Sequence, residues 1–320
     1  MWTDPFIRYF LALGSAMSGS PRLTILIFHR VLPAPDPLFP GEVDVGRFDE
    51  ILSWVTQWFH VLPLAEAVER LERQSLPARS ACITFDDGYA DNATNALPIL
   101  DSHDVPATFF VATGYLNGGR MWNDTIIEAI RGTSEAELQL DNIGAGVLPT
   151  GCTAEKRQTI ERLISLIKYR SIRERDEIAA VVAGVSRSRL PDDLMMSDGQ
   201  VRQLQDAGMT IGAHTVDHPI LSLCDPAEAK RQIGDSRDHL QELTGEKVTL
   251  FAYPNGKPGK DYLPEQTRLV KELGFRAAVS TAPGASRAGD DLYQLRRFTP
   301  WDRSRHRFVA RLALNLTRRD

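Results

Sequence analysis

Ala81-Cys82-Ile83-Thr84-Phe85-Asp86-Asp87-Gly88-Tyr89 is a short apolar run that stops abruptly at two carboxylates and a glycine. A run of this length, with turn-forming residues at its end, reads as a buried strand of a parallel sheet. The pattern recurs at 23–28, 107–111, 210–213, 248–252 and 277–280, with 292–295 as a further candidate strand. Helical periodicity fills the gaps: 45–58, 64–72, 92–100, 197–207, 226–244 and 265–273. Ser197-Asp198 is a start signal for one of these helices, and Gly208, Gly245 and Gly274 are stop signals.

Strands that alternate with helices predict an α/β fold with a mostly parallel sheet. Six or seven such units suit a TIM-like barrel, complete or not, and a doubly wound open sheet is the alternative. Residues 118–195 break the rhythm with polar helical stretches at 154–169 and 173–182. They read as a helical insertion on one barrel loop. The expected organisation is an N-terminal extension (1–22), a barrel domain (23–300) carrying that insertion, and a basic C-terminal helix (301–320) with a solvated face.

The bulk numbers narrow the function classes. The chain has 320 residues, 42% hydrophobic and 25% charged, with a net charge of −5. No basic run dominates it, which disfavours a nucleic-acid partner. Three widely spaced cysteines, Cys82, Cys152 and Cys224, exclude a disulfide framework or a cysteine zinc site, and Cys82 reads as a core thiol. No apolar stretch is long enough for a transmembrane helix. The segment from Phe6 to Met17 is a poor export signal, because Asp4 precedes it and Arg8 interrupts it. A short amphipathic helix is expected there. A cytoplasmic or membrane-peripheral location follows as the expectation, with the periplasm as the alternative. Oligomeric state has no signature in the chain.

In a barrel, chemistry sits at the C-terminal ends of the strands. After the strand at 81–85 come Asp86 and Asp87. Adjacent carboxylates there point apart, so one can bind a metal while the other faces substrate; turn and cap roles are the plain alternative. After the strand at 210–213 comes His214-Thr215-Val216-Asp217-His218. Two histidines four apart on a helical turn share a face and have chelate spacing for a divalent ion. Asp217 reads as a cap, with a supporting partner of the ligand histidines as the alternative. One carboxylate and two imidazoles leave positions open for water and substrate, and a second carboxylate can take the proton of that water. That is equipment for hydrolysing an amide or ester. The turn Tyr253-Pro254-Asn255-Gly256 can aim a backbone N–H at a developing oxyanion. His29 follows the first strand and should reach the same mouth.

These motifs resemble the polysaccharide deacetylases with a NodB-type domain, carbohydrate esterase family 4. The resemblance rests on Thr84-Phe-Asp-Asp-Gly88, His214-Thr-Val-Asp-His218 and Ala252-Tyr-Pro-Asn-Gly256, in the family's order, and runs from about Leu23 to Phe298. It implies a distorted (β/α)7 barrel and N-deacetylation of sugars with a divalent metal, usually Zn2+, with Co2+ or Ni2+ possible. By position, Asp86 matches the general base, Asp87, His214 and His218 the metal ligands, and the backbone of Asn255 the oxyanion contact. Two departures stand out. Ala252 occupies the place of an Arg that orients the base, and the late Leu-x-His motif, which supplies a general acid, should fall within 292–298, where there is no His. His29 is the first candidate for that acid, His306 a weaker one, and Arg297 is expected to help with charge. Similar departures occur in a branch of the family tied to exopolysaccharide export and modification.

Tyr89, Trp122, Tyr253 and Arg297 are the expected substrate contacts, with Trp301 a further aromatic suited to a pyranose ring. The expected partner is a carbohydrate carrying N-acetyl groups, in a polysaccharide or an envelope precursor. Two other readings stand beside it: a hydrolase of a small amide or cyclic imide, and a catalytically weak carbohydrate-binding protein.

Overall fold

The computed structural model describes Ile7 and residues 21–317. The expected N-terminal amphipathic helix lies, Ile7 apart, outside the described residues. Strands β1 (Arg22–Phe28), β2 (His60–Val61), β3 (Ser80–Phe85), β4 (Ala107–Val111), β7 (Thr210–Ala213), β8 (Leu250–Ala252), β9 (Ala277–Pro283), β10 (Ser286–Arg287) and β11 (Leu295–Arg297) form one sheet. Its order is β10-β1-β3-β4-β7-β8-β9-β11, with β2 beside β3. From β1 to β11 the neighbours pair in parallel. The sheet then nearly closes on itself, because Phe298 after β11 bonds through its backbone to Ile25 and Ile27 of β1. The result is a distorted barrel of seven parallel strands, as expected.

The register sets the site. Phe28 pairs with Phe85, Phe85 with Phe109, Val111 with Ala213, and Ala252 with Val279. The residues just past these pairs, His29, Asp86, His214 and Tyr253, therefore leave the sheet at one rim. Ile25, Cys82, Phe110, Leu250, Ala252, Val279 and Leu295 pack as one buried cluster. Each large aliphatic or aromatic member contributes roughly 1.5–3 kcal/mol by leaving water. Gly212 allows this packing: a Cβ there would come within 2.5 Å of the Phe110 ring.

Helices Val45–Trp58, Leu64–Glu72, Asp198–Asp206, Pro226–Thr244 and Pro264–Glu272 cover the sheet close to their expected positions. Ser197 accepts from the Gln200 N–H, and Gly245 ends its helix at φ 71°. The segment expected at 92–100 is instead a π-turn, Asn92–Ala96, running into a helix, Leu97–Ser102. The last strand is displaced from 292–295: Asp291 accepts from the Tyr293 N–H and bends Leu292–Gln294 into a 3-10 turn before β11 starts at Leu295.

The insertion holds more than the two helices expected. Helix Trp122–Gly132, a hairpin of β5 (Glu137–Leu140) and β6 (Gly146–Pro149), and helices Thr153–Ile167 and Ile172–Ser186 enclose their own apolar cluster, including Ile126, Leu138, Leu148, Leu163 and Val182. Helix Arg305–Thr317 is basic on one side only. Phe308, Val309, Leu312 and Leu316 are buried, and Phe308 packs on Trp54 and Trp58. Its solvated face is thus half of an amphipathic helix that belongs to the core. Among the described residues, no helix is long and apolar enough to cross a membrane. The three cysteines are free, with Cys82 buried.

Candidate active site

Strand β3 delivers Asp86 and Asp87 to the rim. Asp86 continues the strand, donating its N–H to the Phe28 carbonyl, while Asp87 turns to φ 78° and Gly88 to φ 90°. An L-residue at that φ is strained and persists only where surrounding contacts hold it. The turn separates the two carboxylates: Asp86 faces Arg297, and Asp87 faces His214 and His218.

Asp87 Oδ1 lies 3.3 Å from His214 Nε2 and 3.4 Å from His218 Nε2. It is buried and has no hydrogen-bond partner among the described residues. His214 Nδ1 lies 2.8 Å from the Ala252 carbonyl, which requires the proton on Nδ1 and leaves Nε2 as a lone-pair donor. One carboxylate oxygen and two imidazole nitrogens, all within 4.8 Å of one another, fit a divalent cation. Burial alone would raise the Asp87 carboxyl, but the His214 contact and the nearby imidazoles of His218 and His29 hold it well below the usual range. His214 moves the other way: burial disfavours its cation, yet Asp86 and Asp87 beside it raise it overall. Burial brings His218 down to about 3, so it stays neutral and ready to ligate.

The two histidines do not share a helical face. Residues 214–218 form a loop in which Thr215 (φ 67°) and His218 (φ 47°) are left-handed, and these two reversals bring the rings to a centroid distance of 4.9 Å. Asp217 does not cap a helix of its own. It accepts from Gln232 and pairs with Arg231, while the Gln232 side chain accepts from the Val216 and Asp217 N–H groups. The loop is thereby tied to helix Pro226–Thr244.

Arg297 is corrected from substrate contact to partner of Asp86. Its Nη1 and Nη2 each donate to a different Asp86 oxygen at 2.7 Å, and its Nε donates to the Ser280 carbonyl. It is fully buried and has no face left for sugar. Burial would raise Asp86, but the Arg297 charge and hydrogen bonds, with the His214 charge, lower it overall. Arg297 also stands where Leu295-Arg296-Arg297 has the spacing of the family's Leu-x-His. An arginine from β11 thus pairs with Asp86, at a place where Ala252 supplies none.

Tyr253 is corrected as well. It is 0% exposed and stacks on Tyr262 at 3.8 Å in the core, because the residue after β8 points inward. The turn it begins reaches the site through Asn255 (φ 58°), whose carbonyl accepts from the Thr281 hydroxyl. Gly256 is required there: a Cβ would sit 2.9 Å from the Tyr253 carbonyl.

A cleft of about 490 Å³ runs over Asp86, Asp87, His214 and His218. His29, Tyr89, Trp122 and Asn255 line it, so these four expected site residues meet the metal group; Trp301 and His306 do not line it. Among the further residues that line it are Arg30 and Asp124, neither of them anticipated. Arg30 lies 4.7 Å over the Tyr89 ring and pairs with Asp91 at 2.8 Å. Asp124 accepts from the Tyr89 hydroxyl at 3.0 and 3.1 Å. The only sequence signal for Asp124 was its place two residues after Trp122. As an acidic residue in a helical first turn it passes for a dipole partner.

A family model described as polysaccharide deacetylase matches residues 73–142 and 171–278, more than half of the chain, including Asp86-Asp87 and the stretch His214–His218. The chain belongs to the polysaccharide deacetylase family. This deacetylase is 20% identical over 278 residues to YxkH of Bacillus subtilis (strain 168), which bears a provisional polysaccharide deacetylase name; the match covers 86% of this chain and 70% of YxkH. Its fold is similar to that of the Streptococcus pyogenes deacetylase PplD in complex with acetate, at a TM-score of 0.59 and 20% identity, covering 88% of this chain and 92% of PplD. It is similar also to IcaB from Ammonifex degensii, at 0.58 and 18%, covering 93% and 98%. The deacetylase is accordingly a hydrolase, and Asp87, His214 and His218 form a group whose ligand atoms lie close enough together to hold a metal ion.

Proposed function

We propose that this deacetylase removes N-acetyl groups from N-acetylhexosamine units of a polysaccharide or an envelope or exopolysaccharide precursor, using one divalent cation held by Asp87, His214 and His218. The observation that carries this reading is the bare Asp87 oxygen between two imidazole nitrogens, beside a second carboxylate locked by arginine. Zn2+ suits such a mixed nitrogen and oxygen set best, with Co2+ or Ni2+ as substitutes. When bound, the ion acidifies a water and polarises the amide carbonyl.

The chain's own residues do the rest. Asp86, held ionised by Arg297, takes a proton from the attacking water. The backbone of Asn255 offers its N–H to the oxygen on which charge develops. Trp122 and Tyr89 flank the sugar. Trp122 comes from the insertion at 118–195, which we read as part of the deacetylase unit. Two groups that line the cleft, His29 and Asp124, are the candidates to supply a proton to the departing amine.

Acetate release from N-acetylglucosamine oligomers tests the reading. The protein should release acetate, lose the activity to a chelator and regain it with Zn2+, and Asp86→Asn should be inactive. No acetate with any of the three metals would refute it. Oligosaccharide binding without acetate release would favour a carbohydrate-binding protein instead.

A further inference from the structure

Asp124 is a buried cleft carboxyl that neither the Asp87-His214-His218 group nor the Asp86-Arg297 pair uses. It sits in the first turn of helix Trp122–Gly132, 4% exposed, and lines the same cleft as Asp86, Asp87 and His218. Both of its oxygens meet the Tyr89 hydroxyl, and Tyr89 follows Asp87 by two residues, so the insertion is tied to the ligand loop at this point. Arg30, the nearby cation, is bonded to Asp91 instead. A buried carboxyl without a bonded cation is costly as an anion and retains its proton.

The charged and titratable groups around it agree. Burial pushes the Asp124 carboxyl up to about 7, and the Asp87 and Glu128 charges push the same way, while Arg30 and the Tyr89 hydrogen bond pull it down. Glu128 lies one turn on and pairs with Arg131. Tyr115 feels the Asp124 charge from the next loop, and Arg175 stacks over Trp122 from helix Ile172–Ser186. His29, the other candidate donor, is exposed at the rim.

Resting on the deacetylase reading above, we propose that Asp124, held by Tyr89, is the acid that protonates the leaving amine. In that step the carbon–nitrogen bond breaks and its electron pair goes to nitrogen, which takes the Asp124 proton. Asp124 is left as a carboxylate, still accepting from the Tyr89 hydroxyl. The proton that Asp86 took from water passes to solvent, and Asp124 regains one from solvent. Amide and water become amine and acetic acid. An acid of this kind must be protonated to act, so activity falls as pH rises through the Asp124 titration.

The experiment compares two substrates in the zinc-loaded protein: an N-acetylglucosamine oligomer, whose amine leaving group needs a proton, and 4-nitrophenyl acetate, whose phenolate does not. Asp124→Asn keeps the size and the Tyr89 contact. It should lower kcat on the oligomer by roughly 10²–10³-fold and abolish the alkaline limb of the pH profile. Its loss on the ester should be at least tenfold smaller, with Zn2+ bound at unchanged stoichiometry. His29→Ala should slow both substrates alike. Oligomer activity retained in Asp124→Asn, equal losses on both substrates, or an oligomer-selective loss in His29→Ala would each overturn the assignment. An unaltered protein that cleaves the ester but never the oligomer would refute the substrate reading instead, which keeps the two failures apart.

Discussion

Replacing Arg297 with Met should damage both stability and catalysis, and the structure says by how much. Arg297 donates two bonds of 2.7 Å to Asp86 and one of 2.8 Å to the Ser280 carbonyl, with no solvent to substitute for any of them. Removing one member of such a buried pair leaves an uncompensated charge and costs about 3–5 kcal/mol. For a chain of this size that lowers Tm by on the order of 10 °C. The pH dependence gives a sharper test. In the unaltered protein the Asp86 carboxyl is lowered, so the folded state holds fewer protons than the unfolded chain. Its contribution is fully present above the unfolded value near 3.8 and is lost as pH falls through the folded value. Without Arg297, burial raises the carboxyl, the folded state binds the extra proton, and stability from this group falls as pH rises. The sign of the slope between about pH 4 and 7 should therefore reverse for this contribution. Catalysis should follow, with kcat/KM down about 10²-fold or more at pH 7 and an acid limb moved to higher pH. Chemical denaturation across that pH range, with and without Asp86→Asn, isolates the pair. Arg297→Met and Asp86→Asn adding independently, with no change in the acid limb, would refute the orienting role.

Three further outcomes follow from the same geometry. His214→Ala should lose stoichiometric zinc while keeping the far-ultraviolet circular dichroism of the parent, because two ligands hold the ion poorly; unchanged metal content by mass spectrometry would remove His214 from the ligand set. Because His214 is raised and an imidazole ligand must be neutral, zinc uptake near pH 6–7 should release protons and weaken as pH falls. Calorimetry in buffers of different ionisation enthalpy reads this directly, and buffer-independent heats would contradict it. Gly212→Ala should cost about 1–3 kcal/mol by driving a Cβ into the Phe110 ring; a parental Tm would mean that the ring moves aside freely.

The candidate ligand group was legible in the chain because it is local. Asp87 follows a strand, and His214 and His218 sit on one five-residue stretch. Buried strands also carry their own signature, so the alternation that makes a barrel could be read from apolar runs and helix caps. The loop geometry was not legible in the same way: two left-handed residues, not a helical turn, bring the histidines together.

What only the tertiary structure decided is who stands opposite whom across the barrel. Arg297 is 211 residues from Asp86 and meets it because β11 returns to β1 and closes the sheet. Tyr253 sits in a motif at the rim yet turns into the core, since one residue of register decides which side it faces. Asp124 belongs to a helix of the insertion and becomes a cleft carboxyl only when that helix docks on Tyr89. Chelate spacing and strand patterning are written within a few neighbouring residues. The pairing of Asp86 with Arg297, and the burial of Asp124 against Tyr89, arise from contacts between distant segments, and those exist only once the chain has closed on itself.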